Sequence, residues 1–192
     1  MVESLDERIA RVTSEKVSLA PYNPEWPLLF EEEKQHLLNC LPDALVVRIE
    51  HFGSTAIPDM PAKPIVDMLV EVASLQGTRA VIAPILEEQG YDYFWRPIGG
   101  DDVPPYYAWF IKRDELGVRS HHIHMVEKHF EHWDGLLFRD YLIEHDEVAA
   151  EYGRLKHRLN RKLDGDRIAY TLAKSEFVMG VTALARQHYG EG

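Results

Sequence analysis

Apolar residues recur along this chain with two periods, and the change between them falls near residue 130. Over 24–41 the spacing of Trp26, Leu29, Phe30, Leu37, Leu38 and Leu41 puts one apolar stripe on a helix. Pro24 opens that helix and Pro42 follows it, the usual positions for a residue that cannot continue one. The runs at 46–52 and 65–72 predict two strands around a polar loop. A helix over 78–89 stops at Gly90, 91–95 is strand-like, and 106–112 with 118–126 predicts a hairpin across DELG. From 130 onward the period is helical, in blocks at about 131–144, 146–163 and 167–188.

The predicted order, α-β-β-α-β-β-β and then three helices, argues for an α+β domain. A mixed β-sheet with helices on one side and a three-helix C-terminal pack is expected. A single domain over 17–192 follows, with its sheet part in about 17–128, its helical part in about 129–190, and 1–16 as a polar lead-in. The pattern is not that of a doubly wound fold. Neither GxGxxG nor GxxxxGK[ST] is present, so a P-loop kinase is excluded.

Charge and cysteine content narrow the partners. The net charge of -11 opposes a broad nucleic-acid-binding face, although a local pocket for one nucleotide needs only a few cations. Cys40 is the sole cysteine, which excludes an internal disulfide and a multi-cysteine zinc site. The N-terminal stretch is charged and has no continuous apolar run, and no segment approaches the roughly 20 apolar residues of a membrane span. No membrane association and a cytoplasmic location are expected; oligomeric state is not legible.

The chemistry gathers in HFGSTAIPDMPAKPIVDMLVEV, residues 51–72. Gly53, Ser54 and Thr55 follow a strand, where backbone N–H groups and hydroxyls can cradle an anion. Lys63 can add a positive charge. Asp67 occupies a strand position that calls for Val or Ile, and a buried carboxylate needs a cation. Asp67, Leu69 and Glu71 share a face, but Asp67 and Glu71 lie about 13 Å apart, too far to share one ion. The alternative is a Gly-initiated turn with Asp67 neutralised by Lys63, or by Arg48 across the sheet. In RSHHIHMV, His122 and His124 share a face and can ligate one divalent metal, whereas His121 points the other way. Plain hydrogen bonding within the sheet is the alternative. Arg119 is either a phosphate ligand or an ion-pair partner.

The 51–72 stretch resembles the signature of the GrpB family, an uncharacterised bacterial group whose members read close to H-x-G-S-T-[SA]-[VI]-P-G-L-x-A-K-P-I-I-D-I. YNPEWPLLFEEEKQHL, SHHIHMVE, FRDYLIEHDEVAAEYGRLKHRL and YTLAKSEFV extend the likeness over nearly the whole chain from residue 17. The family is similar in fold to nucleotidyltransferases and also occurs fused to dephospho-CoA kinases. The resemblance implies that Gly53 and Ser54 face phosphate and that Asp67 is the first metal-binding carboxylate on the following strand. The second carboxylate belongs at position 69, where this chain has Leu69, and Asp59 stands where the family usually has Gly. His122 and His124 are expected to replace the missing acid.

The implied function is binding of a nucleotide or phosphorylated small molecule with a divalent metal, extending to nucleotidyl transfer onto a small molecule. Asp67 would be catalytic, with Gly53, Ser54, Thr55, Lys63 and Arg119 on the phosphates, and Asp67, His122 and His124 on Mg²⁺ or Mn²⁺, or on Zn²⁺ if the histidines ligate. A catalytically inactive domain serving as a folding or interaction partner is the alternative. Two further features are open. Tyr170 and Lys174 lie one helical turn apart and match a family Y-x-x-x-K, and PIGGDDVPP offers Asp101 and Asp102 as a lid or acid source.

Overall fold

The computed structural model describes residues 3–16, 18–97, 103–163 and 166–190. Asp101 and Asp102 lie outside them. Helix α1 (Leu5–Ser14) precedes α2 (Trp26–Cys40), β1 (Val46–Phe52), a short 3-10 turn (Ser54–Ala56) and β2 (Val66–Val72). Next come α3 (Leu75–Gly77), a π turn (Thr78–Ile82), α4 (Ala83–Glu88), β3 (Asp92–Pro97), β4 (Tyr106–Arg113) and β5 (Arg119–Val126). The C-terminal pack holds α5 (Asp134–Glu144), α6 (Asp146–Lys162), α7 (Arg167–Ala173) and α8 (Ser175–Tyr189). The third helical block is thus two helices, divided at Lys174. Among the described residues no helix is long and apolar enough to cross a membrane.

The five strands form one mixed sheet in the order β1-β2-β5-β4-β3, in which only the β2–β5 pair is parallel. This is the α+β architecture expected, with one change in its layering. Leu37 of α2 and Leu86 of α4 bury against Met68, Val70, Ile123 and Met125 on one face. The opposite face carries Leu69, Phe94, Trp109 and Ile111, which Val12, Phe130, Trp133 and Leu136 cover. Helices therefore flank both faces, because β4 is apolar on both and Leu69 and Val126 extend the second apolar face onto β2 and β5.

The stretch expected as a polar lead-in contains α1. Ser4 caps it: its hydroxyl accepts from the Glu7 N–H while the Glu7 carboxylate accepts from the Ser4 N–H at 2.8 Å, a capping box. Arg11 clamps Asp92 at 2.7 Å, and Val12 docks onto the sheet.

Candidate functional site

Strand register assembles the site. Asp67 pairs with His122 and Leu69 with His124 across the parallel β2–β5 ladder, so side-chain alternation puts Asp67, His122 and His124 on one face. His122 Nδ1 lies 3.2 Å from Asp67 Oδ1. The Asp67, His122 and His124 ligand atoms all fall within 4.8 Å of one another. Asp67 remains reachable, its side chain 31% exposed, while His122 is 12% exposed.

Electrostatics favour a cation here. Burial alone would raise the Asp67 pKa, but the His122 hydrogen bond, with a further contribution from the Lys174 charge, holds it below the usual carboxylate value. Asp67 is therefore ionised at neutral pH. Burial pushes His124 well below the ordinary imidazole range. His124 is neutral, as a metal ligand must be. Its Nδ1 is buried without a hydrogen-bond partner. Tyr107 stacks 5.7 Å from the His124 ring, and Trp109 lies 5.1 Å from that of His122, so aromatic walls fix both imidazoles.

The loop before β2 sits directly on the carboxylate. Gly53 adopts φ 71° and ψ -171°, and a Cβ there would come within 2.6 Å of Asp67 Oδ2. Only glycine allows both the conformation and the contact. The 3-10 turn that follows starts at half-buried Ser54. Asp59, where the family motif has Gly, takes φ 57°, a left-handed conformation that Asp tolerates better than most residues.

The remaining sequence-derived candidates separate. Thr55 is buried, with its hydroxyl 3.0 Å from His51 Nε2, and His51 stacks on Phe30 on the other side of the sheet. Thr55 thus props the loop from behind. Lys63 reaches toward the C-terminal helices, its Nζ 5.0 Å from the Tyr170 ring centroid. Arg119 is buried, donates to Glu15 and to the Val12 carbonyl, and lies 3.4 Å from His122 Nε2. It ties α1 to β5. An arginine only donates, so this contact makes His122 Nε2 the acceptor and leaves the His122 proton on Nδ1, facing Asp67. Arg48 pairs with Glu71 at 3.1 Å, which rules it out as the neutraliser of Asp67. His121 faces away, with Nε2 3.2 Å from the Leu29 carbonyl.

Two residues, His132 and Lys156, are absent from the sequence-derived candidates, and Lys174 stands there without a role at Asp67. His132 lies 5.6 Å from the His124 ring, and burial lowers its pKa to about 4. Lys174 feels Asp67 electrostatically, and the Y-x-x-x-K match was its only sequence signal. Lys156 is buried on the inner face of α6, where helical period alone suggests packing.

The sequence model described as "GrpB protein" matches residues 16–183. This chain belongs to the GrpB family. Its GrpB relatives include the glutamate-rich protein GrpB of Alkalihalophilus pseudofirmus, 37% identical over 169 residues, which cover 87% of this chain and 94% of that protein. The crystal structure of conserved protein GrpB from Enterococcus faecalis superposes with a TM-score of 0.77 at 30% identity, covering 90% of this chain and 99% of that one. A dephospho-CoA kinase of Mycolicibacterium paratuberculosis is 27% identical over 180 residues, which cover 82% of this GrpB chain but 43% of the kinase.

Proposed function

We propose that this GrpB-family chain binds a nucleotide or another phosphate ester together with a divalent cation, and that it transfers a nucleotidyl group to a small molecule. One observation carries the reading. Asp67, His122 and His124 converge within 4.8 Å on one strand pair, with His124 Nδ1 buried and unsatisfied beside an ionised carboxylate. A buried polar atom without a partner is costly, and a cation would satisfy it. Two imidazoles and one carboxylate suit Mn²⁺ or Zn²⁺ better than Mg²⁺, which prefers oxygen ligands.

Asp67, His122 and His124 would hold the cation, and the Gly53–Ser54 turn, packed against Asp67, would present its backbone to a phosphate bound on that cation. Bound there, the cation would polarise a phosphoryl oxygen. Arg119 positions His122 and does not itself meet substrate. Exchange of the His122–Asp67 hydrogen bond for metal ligation at Nδ1 would release the Nδ1 proton.

A second reading rests on Leu69. It is fully buried in the apolar cluster where nucleotidyltransferases carry a second acid. A dephospho-CoA kinase contains a region like this chain within a longer protein. Under that reading the chain is a catalytically silent partner domain. Thermal-shift titration with ATP, GTP, CTP and UTP in the presence of Mn²⁺ separates the two. The first reading expects at least one nucleotide to raise Tm in the wild type and none to do so in Asp67→Ala. No shift with any nucleotide favours the second.

A further inference from the structure

Lysines from three elements converge on two tyrosines where the C-terminal helices meet the loop. Lys156 on α6 is 1% exposed, and its Nζ has no hydrogen-bond partner. That Nζ sits 4.5 Å from the Tyr152 ring centroid. At the joint between α7 and α8, Lys174 Nζ lies 5.5 Å from the Tyr170 ring, which Lys63 approaches from the loop at 5.0 Å. The α6 backbone is close to the loop as well: a Cβ on Gly153 would touch Pro61 at 3.7 Å.

Packing does not explain a lysine at position 156. An ammonium buried without a counter-charge is costly, and methionine would fill similar space at no such cost. Burial and the charge of Lys174 lower Lys156 to about 6, so an arriving anion would recharge it. Lys174 acts on Lys156 at one end and on Asp67 at the other. The loop links the two regions in space: Gly53 sits on Asp67, and Ile57 and Met60, a few residues on, pack with Tyr152 in one apolar cluster.

We propose that Lys156 and Lys174 form an oxyanion subsite for the terminal phosphoryl groups of a polyphosphate chain whose other end lies at Asp67, His122 and His124. The inference rests on the metal-and-phosphate reading and narrows it: the ligand is a nucleoside di- or triphosphate rather than a monophosphate ester. The Tyr152 and Tyr170 rings pack against the two side chains and hold them in place while the subsite waits for its anion, whose charge would draw a proton onto Lys156.

The test is calorimetric titration of the full chain with inorganic tripolyphosphate in the absence of metal, beside a separate Mn²⁺ titration followed by electron paramagnetic resonance. Wild type is expected to bind tripolyphosphate. Lys156→Met is expected to weaken that binding at least tenfold with Mn²⁺ affinity unchanged within twofold, and Lys174→Met to weaken it as well should the first variant fold poorly. Tripolyphosphate binding equal in wild type and both variants, or absent from wild type, overturns the subsite whatever Mn²⁺ does. Lys156-dependent tripolyphosphate binding without Mn²⁺ binding supports the subsite and overturns the metal centre.

Discussion

Replacing Gly53 by alanine tests the contact between loop and carboxylate. At φ 71° and ψ -171° the residue lies in a region open essentially to glycine alone, and forcing a side chain there costs roughly 1–3 kcal/mol. The new Cβ would also fall 2.6 Å from Asp67 Oδ2 and 3.0 Å from the Asp67 Cβ. Asp67 cannot yield by moving only a flexible tip, because its own Cβ is involved, so the 3.2 Å hydrogen bond to His122 stretches or breaks. Asp67 is 31% exposed and water replaces part of that bond, leaving a loss of about 1 kcal/mol. Together these give a destabilisation of about 2–4 kcal/mol. Urea unfolding at pH 7 measures it as a midpoint shift of about 1–2 M at an m-value of about 2 kcal/mol/M. A double-mutant cycle isolates the contact: in an Asp67→Ala background the Gly53→Ala penalty should shrink by about 1 kcal/mol. A Gly53→Ala midpoint within error of wild type, or strict additivity with Asp67→Ala, refutes the reasoning.

Acid sensitivity follows from the buried imidazoles. Burial lowers His51 and His132 to about 4, so the unfolded chain takes up their protons first, and stability is lost as pH falls from about 6.5 toward 4. Each contributes a slope of up to about 1.4 kcal/mol per pH unit, and a urea midpoint that is flat between pH 7 and 5 contradicts this. Lys112→Met should cost about 3–5 kcal/mol in urea unfolding without altering Mn²⁺ binding, since it strips the ion-pair partner from the fully buried Glu33 and leaves, among the described residues, the Tyr91 hydroxyl at 2.6 Å. Leu69→Asp, which restores the family-distant second acid, should destabilise by about 3–5 kcal/mol, because Leu69 is fully buried in an apolar cluster. A Leu69→Asp chain as stable as wild type and tighter for Mn²⁺ would show that the two-acid arrangement fits after all.

Local signals and long-range ones fared differently in the sequence. The strand at 46–52 matches β1, and the helical block at 146–163 ends one residue beyond α6, since each carries its own period and its own breakers. Helix α1 was missed although Ser4 and Glu7 form a capping box, because its apolar stripe is short and its stability comes from Val12 and Arg11 meeting the sheet. Asp67 and the H-x-H pair stood out as residue types ill suited to a strand. Their meeting was expected from the family resemblance and not from spacing, for it depends on a parallel register between residues 55 apart in the chain. Thr55 and Arg119 carry the right chemistry for phosphate, yet His51 and Glu15 occupy them, and no sequence spacing reveals such partners. Lys156 carries no signal of its own in the sequence, because its burial without a partner comes from how α6 packs.

The most direct test of the metal centre is anomalous diffraction from crystals grown with Mn²⁺. The account predicts one strong peak about 2.2 Å from the Asp67 carboxylate and from an imidazole nitrogen of both His122 and His124, with the His122–Asp67 hydrogen bond replaced by ligation. Saturating Mn²⁺ with no peak at these residues, and the 3.2 Å His122–Asp67 contact intact, would contradict it.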